Sequence, residues 1–275
     1  MSRAAIALAT LLSFSSTAAH ENASTAHYLA NAGVVVTHGE TQVAFDPLFR
    51  NTFDRYDPVP DALESALVSG ESPFDSIDAV FISHYHSDHF DPALILAWAE
   101  TKTTLDVYAP TQAVDGILAV RTPAESVQQR IHAIAMQPGD APREIVSGEL
   151  VIEVIRIPHA GWPNRMTDVE NLSFRVTLSG ATTVVHLGDA DDKRVHFDKQ
   201  ADHWAARDSD LAMPPFWFFL HDEGRQIVDE TLEAVLTIGV HAPATLPDSA
   251  ADREARFDGR DVFTRPGETR DIPPR

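Results

Sequence analysis

The sequence predicts an α/β fold in which two similar β-sheets pack together and helices lie on the outside. Both halves of the chain contain short apolar runs typical of strands, and helical segments interrupt each half. The chain has 275 residues, of which 44% are hydrophobic, and this is ample for one core of moderate size. We therefore expect one domain over residues 20–275.

The first half predicts a hairpin, a long loop, and then alternating strands and helices. The segment 47–73 is rich in Pro, Asp and Ser, so it is a loop with one short helix. Asp91 is the expected N-cap of a helix that begins at Pro92. Thr122 and Glu125 have the capping-box spacing of another helix. In chain order the predicted elements are strands at 33–37 and 42–45, a helix at 61–68, a strand at 78–83, a helix at 92–100, a strand at 105–110, and helices after Pro110 and within 122–134.

The second half repeats this pattern. A strand that begins at Leu150 leads to His159, and a hairpin that turns at Ser179 and Gly180 leads to Asp189. The remaining predicted elements are a short strand within 208–216, a helix and a brief strand within 224–241, and two short strands around a Pro-Gly turn within 261–272.

The N-terminus has the pattern of a secretory signal peptide. Arg3 precedes a short apolar stretch, and the small residues Thr17 and Ala19 suit a cleavage site. The apolar run is shorter than the about 20 residues of a membrane span. We expect residues 1–19 to be removed and the mature protein to lie in the periplasm or outside the cell. The alternative is an N-terminal helix packed on the core.

Composition argues against nucleic-acid binding and excludes cysteine-based sites. Asp and Glu outnumber Lys and Arg by 41 to 21, and the resulting net charge of -20 would repel a phosphate backbone, so nucleic acid is a poor candidate partner. The chain has no cysteine, which leaves no disulfide and no thiolate ligand. Any metal must therefore be held by histidine and carboxylate side chains.

The segment "ISHYHSDHFD" places three histidines and an aspartate within six residues, after the strand at 78–83. Alternation along an extended chain sends His84 and His86 to the same side. A polar loop satisfied by hydrogen bonds is the alternative, but packed imidazoles are costly to desolvate without a cation. His84, His86, Asp88 and His89 therefore predict a metal site, and four ligands in one loop suit two ions about 3.5 to 4 Å apart.

Further ligands are expected where other strands end, because loops there converge on one edge of a sheet. Three side chains fit this position: His159 follows the strand that begins at Leu150, Asp189 follows the hairpin, and His241 follows the brief strand. With the loop residues, they form a set of seven candidate metal ligands.

These residues resemble the metallo-beta-lactamase-fold hydrolases from about Tyr28 to His241. The family's HxHxDH motif is matched by the four residues of the loop, and its later ligands are matched in chain order by His159, Asp189 and His241. The stretches "YLANAGVVV" and "FDPLF" look most similar to the branch of ascorbate-6-phosphate lactonase-like proteins and N-acyl-phosphatidylethanolamine phospholipase D. The resemblance implies a four-layer αβ/βα sandwich of two mixed sheets.

The resemblance also implies how the ligands divide between two divalent ions, with zinc expected first and manganese or iron as alternatives. His84, His86 and His159 would hold the first ion, Asp88, His89 and His241 the second, and Asp189 would bridge the two. A bridging hydroxide would be the nucleophile, so the expected reaction is hydrolysis.

Three residues are expected to support catalysis on this resemblance, namely Asp88, Asp46 and His241. Asp46 matches the family's early aspartate, at the end of the opening hairpin, and we expect it to orient a ligand or its loop. The alternative for Asp46 is a turn or helix cap. His186 lies near Asp189, and we expect a hydrogen-bonded core histidine there because the ligand set is complete without it. Tyr85 points away from its two histidine neighbours and receives no role.

The run "PPFWFFLHDEG" at 214–224 is most simply core packing. Its functional alternative is one wall of an apolar substrate pocket, together with Trp162 and the loop that holds Phe49, Phe53 and Tyr56. Arg165 could pair with a substrate anion or with a surface carboxylate.

The leading functional hypothesis is an exported dinuclear hydrolase of a small ester, lactone or phosphodiester. The rival hypothesis is a non-catalytic protein that stores or senses zinc in the envelope. An open coordination position favours the enzyme, whereas a site closed by protein ligands favours the rival.

Overall fold

Two seven-stranded β-sheets pack face to face in the computed structural model, which describes residues 23–246 and 250–275. The predicted signal peptide, residues 1–19, lies outside the described residues. In chain order the strands are β1 Ser24–Ala30, β2 Gly33–His38, β3 Thr41–Phe45, β4 Ile77–Phe81, β5 Asp106–Pro110, β6 Ile131–Ile134, β7 Arg143–Ser147, β8 Leu150–Arg156, β9 Leu172–Leu178, β10 Thr182–His186, β11 Leu211–Met213, β12 Leu236–Gly239, β13 Asp261–Val262 and β14 Thr269–Ile272.

Both sheets are mixed and have matching organisation. The first has the order β14-β1-β2-β3-β4-β5-β6 and the second β13-β12-β11-β10-β9-β8-β7. In the first sheet, strands β14 to β3 pair antiparallel and strands β3 to β6 pair parallel. In the second, strands β7 to β10 pair antiparallel and strands β10 to β13 parallel. The predicted α/β sandwich is therefore confirmed.

Helices follow six of the fourteen strands in the described residues and cover the outer faces. They are α1 Asp61–Ser69, α2 Pro92–Thr101, α3 Thr111–Val120, α4 Glu125–Gln128, α5 Arg194–Asp198, α6 Ala201–Ala205, α7 Asp222–Gln226 and α8 Ala250–Arg256, with a 3₁₀ turn at Phe216–Phe219 and a π-helical turn at Ile227–Leu232. None of the helices in the described segments is long and apolar enough to span a membrane.

Alternation of side chains along each strand builds three apolar layers. Val34 and Val36 of β2 point into the layer between the sheets, where they meet Phe174 and Val176 of β9. Val35 points the other way, into the layer under helices α1 to α3. A third layer joins the second sheet to the aromatic run after β11. Strands buried on both faces explain the nearly continuous apolar runs in the sequence.

The structure corrects the prediction for 122–134. The expected capping box is not made: α4 has Ala124 at its N-cap position with no side-chain cap, and it ends at Gln128. The chain then continues as β6, which pairs in parallel with β5. Arg130 stabilises this turn, since its guanidinium donates to the backbone oxygens of Leu105 at 2.6 Å and Ala99 at 2.7 Å. Tertiary pairing overrides the local helical pattern here.

Three further differences concern β1, β7 and the last two strands. β1 and β7 have no predicted counterpart, because their apolar alternation is weak. The two strands predicted within 261–272 exist but do not pair with each other: β13 pairs with β12 in the second sheet, and β14 pairs with β1 in the first. The last two strands therefore belong to different sheets, and the chain between them crosses from the second sheet to the first.

Backbone hydrogen bonds join the two sheets at the edge where the predicted ligands lie. Leu172 N donates to Ser83 O at 2.8 Å, and His241 N donates to Asn31 O at 2.7 Å. Asn31 in turn donates from its side chain to Asp88 O at 2.8 Å. The loops after β4 and β12 are therefore held in one place, although they come from different sheets.

Candidate metal centre

The loop between β4 and α2 turns tightly over its own backbone. His89 N and Phe90 N both donate to His86 O at 3.0 Å. Asp91 ends the loop, and its Oδ1 accepts from Ala93 N at 2.9 Å and Leu94 N at 3.0 Å. The predicted N-cap is confirmed, and the turn leaves the side chains of the loop directed toward the sheet edge.

His84 and His86 form a first group with His159, whose candidate ligand atoms all lie within 4.8 Å of one another. Nε2 of His84 is 3.0 Å from Nδ1 of His86. Nδ1 of His159 hydrogen-bonds to Ala160 O at 2.9 Å, which leaves its Nε2 directed at the group. Three imidazole nitrogens thus converge from two different loops.

Asp88, His89 and His241 form a second group within the same 4.8 Å limit. Nε2 of His241 is 2.9 Å from Nε2 of His89 and 3.4 Å from Oδ2 of Asp88. His241 has a backbone φ of 63°, a left-handed conformation that is uncommon for a non-glycine residue. This conformation turns the chain after β12, and the His241 N–H bond to Asn31 O holds it.

Asp189 lies between the two groups. Its Oδ1 is 3.2 Å from Nε2 of His89 and 3.3 Å from Nε2 of His241, and its Oδ2 is 3.3 Å from Nε2 of His159. The two oxygens of one carboxylate therefore face different groups. All seven predicted ligand side chains meet in one cluster.

The cluster is suited to positive charge. Burial and the neighbouring His89 lower the pKa of His84 well below its ordinary value, so His84 is a neutral imidazole with a free lone pair. Burial alone would lower the pKa of His89 too, yet Asp189 and Asp46 raise it well above the ordinary value. Nε2 of His159 and Oδ1 of Asp189 are buried without a hydrogen-bond partner. Imidazole nitrogens and carboxylate oxygens arranged in this way fit divalent cations.

A family model identifies the superfamily from more than half of the chain. The model described as "Beta-lactamase superfamily domain" matches residues 56–246, which include all seven residues of the cluster. The chain belongs to the beta-lactamase superfamily. A search of curated proteins gives no significant match.

Solved structures show the same fold for this superfamily member. The metallo-beta-lactamase fold protein YhfI from Bacillus subtilis is 17% identical, with 91% of this chain and 99% of that chain covered and a TM-score of 0.58. Igni18, a metallo hydrolase from the archaeon Ignicoccus hospitalis, is 16% identical over 92% and 100% of the two chains, with a TM-score of 0.59. An isothiocyanate hydrolase from Delia radicum gut bacteria is 15% identical over 90% and 98%, with a TM-score of 0.57. The chain thus has a metallohydrolase fold with a candidate His and Asp metal site.

Asp46 lies beside the cluster and holds two of its histidines through hydrogen bonds, one of them by way of Ser83. Its side chain is fully buried, its Oδ1 accepts from Ser83 N at 2.7 Å, and its Oδ2 accepts from Ser83 Oγ at 2.6 Å. Oδ2 also accepts from Nδ1 of His89 at 2.8 Å. Ser83 Oγ lies 2.9 Å from Nδ1 of His84. Asp46 therefore positions one histidine of each group, one directly and one through Ser83, and it acts through these contacts.

Three supporting residues in this superfamily member were missed by the sequence analysis. Asn171 accepts from Asp189 N at 2.9 Å through Oδ1 and donates to Leu187 O at 3.1 Å. Gly188 has a φ of +57°, and a Cβ there would lie 2.4 Å from Cβ of Ser83. Ser83 is the third, as the link between Asp46 and His84. Only Gly188 had a usable signal, since a glycine directly before a candidate ligand indicates close backbone approach.

The other predicted residues divide between core and site. His186 is fully buried and its Nε2 hydrogen-bonds to Ala32 O at 2.9 Å, which confirms a core role. Phe49 is buried in the layer under the helices, so it forms no part of a pocket wall. In the 214–224 run the phenylalanines are core, whereas the half-buried Trp217 stacks edge-on against His241 at 5.3 Å. Arg165 has no ion pair with any residue in the described part of the chain; its side chain lies over Gly161.

Proposed function

We propose that this protein is an exported, dinuclear metal-dependent hydrolase of a small ester, lactone or phosphodiester. One observation carries the proposal: Oδ1 of Asp189 faces His89 and His241, whereas its Oδ2 faces His159. A single tetrahedral ion takes four ligands, and seven side chains exceed that number. Two ions sharing one carboxylate account for the whole set.

The first group would consist of His84, His86 and His159, and the second of Asp88, His89 and His241. Zinc suits this mixture of nitrogen and carboxylate ligands, and manganese or iron are the alternatives. Divalent ions held there would lower the pKa of bound water to near neutral and would polarise the bond that is cleaved. Every ligand named here is buried except His86, which is half-buried, so substrate would enter on the side of His86.

Residues that contact the candidate ligands from outside the cluster keep the ligand side chains in their orientation. Asp46 and Ser83 keep the imidazoles of His89 and His84 turned with Nε2 toward the centre. Asn171 holds the backbone of Asp189 in place. Such outer contacts preserve the site geometry that hydrolysis needs, and they do so without touching the substrate.

The choice between carbon and phosphorus chemistry is part of the proposal. One structural relative is an isothiocyanate hydrolase, so this fold can host attack on an electrophilic carbon. The resemblance to the branch of ascorbate-6-phosphate lactonase-like proteins and N-acyl-phosphatidylethanolamine phospholipase D allows either reaction. We place esters and lactones first because the chain's net charge of -20 disfavours anionic phosphodiesters.

The test combines elemental analysis of the purified protein with a hydrolysis panel of lactones, esters, phosphodiesters and beta-lactams. Asp88→Asn should lose turnover with the fold retained. Asp91→Asn is the matched control, because Asp91 lies in the same loop but caps α2, and asparagine caps equally well. Less than one metal per chain, or unchanged activity in Asp88→Asn, would refute the proposal. Two metals with no turnover on any substrate would favour storage or sensing of zinc.

Export is tested separately. The leader at 1–19 predicts that protein recovered from the periplasm or medium begins near His20. Intact mass of the secreted chain measures this directly, and a chain that keeps Met1 and stays inside the cell would contradict it.

A further inference from the structure

Exposed aromatic side chains are concentrated at the candidate metal centre. Among the described residues, Phe, Tyr and Trp side chains more than a third exposed occur at three positions: Phe53 is 59% exposed, Tyr85 39% and Trp162 40%. All three lie on the loops that surround the cluster. Exposed aromatic side chains gathered around one site mark a candidate binding surface.

Hydrogen bonds of Asn51, two residues earlier, connect the backbone at Phe53 to the metal-binding loop. Asn51 donates from its backbone to Ser87 O at 3.2 Å and from its side chain to Ser87 Oγ at 3.0 Å. Its Oδ1 accepts from Phe53 N at 2.9 Å. Phe53 has a φ of 51°, which is rare for a bulky residue and has a conformational cost. These contacts hold the backbone at Phe53 in this conformation despite that cost, and the phenyl ring is exposed to solvent.

Tyr85 and Trp162 are attached to ligand candidates. Alternation predicts that Tyr85 points away from its histidine neighbours, but its ring lies edge-on at 5.0 Å from the ring of His86, the ligand with the open side. Trp162 N donates to His159 O at 3.2 Å, and the indole packs edge-on at 5.0 Å against His196, which is buried. Contacts with residues in or beside the first group of histidines therefore hold both exposed rings.

Two half-buried rings extend this surface inward. Tyr56 lies 4.4 Å and Trp217 5.3 Å from the ring of His241. The indole N–H of Trp217 is satisfied by Ala190 O at 3.1 Å, so Trp217 presents an apolar surface. We name the surface formed by Phe53, Tyr56, Tyr85, Trp162 and Trp217 the aromatic rim. It runs from solvent to ligands of both groups.

Resting on the proposed hydrolase function, we infer that the aromatic rim binds an apolar acyl or aryl arm next to the bond that is cleaved. The substrate is thus an ester or lactone with an apolar arm. For an ester, hydrolysis adds the oxygen of water to the acyl carbon and breaks the C–O bond, and the products are an alcohol and a carboxylic acid that keeps the arm. An uncharged arm also suits an acidic protein, which repels anionic groups away from the metals.

Binding of products tests the rim without requiring turnover. Calorimetry of the metal-loaded protein should give a Kd for octanoate at least about tenfold lower than for acetate, since added methylenes in an apolar site contribute about this much. Trp162→Ala and Phe53→Ala should each reduce that ratio severalfold. Val146→Ala is the control: Val146 is 68% exposed but pairs with Val151 near the start of β8, away from the end that leads to His159.

Kinetics with p-nitrophenyl acetate, butyrate and octanoate separates the two proposals. The expected result is a kcat/KM that rises with chain length in the native protein and much less in Trp162→Ala. Preferential octanoate binding without hydrolysis of any ester, lactone or phosphodiester in the panel would refute the hydrolase and still support binding at the rim. Hydrolysis with no chain-length preference, together with equal binding of octanoate and acetate, would overturn the rim. The rim would also be overturned if Trp162→Ala converted a dimer into a monomer with octanoate binding unchanged.

Discussion

Asp46 and His89 form a fully buried pair in which Nδ1 of His89 donates to Oδ2 of Asp46 at 2.8 Å. This bond decides which nitrogen of His89 faces the second group, because the proton on Nδ1 leaves the lone pair on Nε2. The same carboxylate holds Ser83, whose hydroxyl contacts His84 of the first group. One aspartate outside the ligand set thus sets the orientation of a histidine on each side.

Replacing Asp46 should therefore weaken metal binding without removing a ligand. Asp46→Asn is expected to lower metal affinity by about 10- to 100-fold, as for other outer partners of ligating histidines. Competition with a chromophoric chelator measures this. Asp106→Asn is the control, since Asp106 pairs with His132 at a partly exposed position. Equal affinity in Asp46→Asn and the native protein would contradict a positioning role.

Gly188 should tolerate no side chain. Its φ is +57°, and a Cβ would lie 2.4 Å from Cβ of Ser83 and 2.5 Å from Oδ1 of Asn171. Gly180 also has a positive φ, +67°, but nothing lies within 4 Å of its Cβ position. Gly180→Ala should cost about 1 kcal/mol of unfolding free energy through backbone strain, and Gly188→Ala at least about 2 kcal/mol more through overpacking. Urea unfolding compares them, and equal losses would argue against the close contact.

Metal removal should destabilise the folded protein. A ligand present at a hundred times its Kd stabilises by about 2.7 kcal/mol, so EDTA should lower Tm by several degrees and added zinc should restore it. Asp189→Asn should show much less response, because it loses charge facing both groups. His132→Gln, a change outside the cluster, should respond like the native protein. A Tm insensitive to EDTA in all three proteins would speak against a bound metal.

His203 should make stability depend on pH. Burial and the nearby Arg175 lower the pKa of His203 from 6.5 to about 4, with Arg207 adding to the effect and Glu153 opposing it. Between those values the unfolded chain binds a proton that the folded state rejects, so the unfolding free energy falls as pH falls from about 6.5 to 4.

His203→Gln cannot titrate, and its unfolding free energy should fall less over this range. The difference from the native protein should be on the order of 1 kcal/mol after solvent screening. Urea unfolding at several pH values, with EDTA present so that metal loss does not contribute, measures it. Parallel pH profiles for the two proteins would contradict the assignment.

Much of the site was predictable because its signals are local. The density of ligand side chains in "ISHYHSDHFD", the cap at Asp91, and polar residues placed where strands end can all be read along the chain. These patterns depend on strand periodicity and on ligand chemistry, neither of which requires knowledge of distant contacts. They predict that His159, Asp189 and His241 lie beside the loop.

The tertiary structure decided what depends on partners far away in the sequence. β6 is a strand because β5 offers it a parallel edge, and β13 and β14 separate because each finds its partner in a different sheet. Ser83 gained its role from a contact with Asp46, 37 residues away. Trp217 faces His241 while the adjacent Phe218 is core, a difference made by the 3₁₀ turn. The candidate ligands can thus be read from the sequence itself, whereas their orientation and access are decided by packing, because these depend on contacts between residues that only the folded chain brings together.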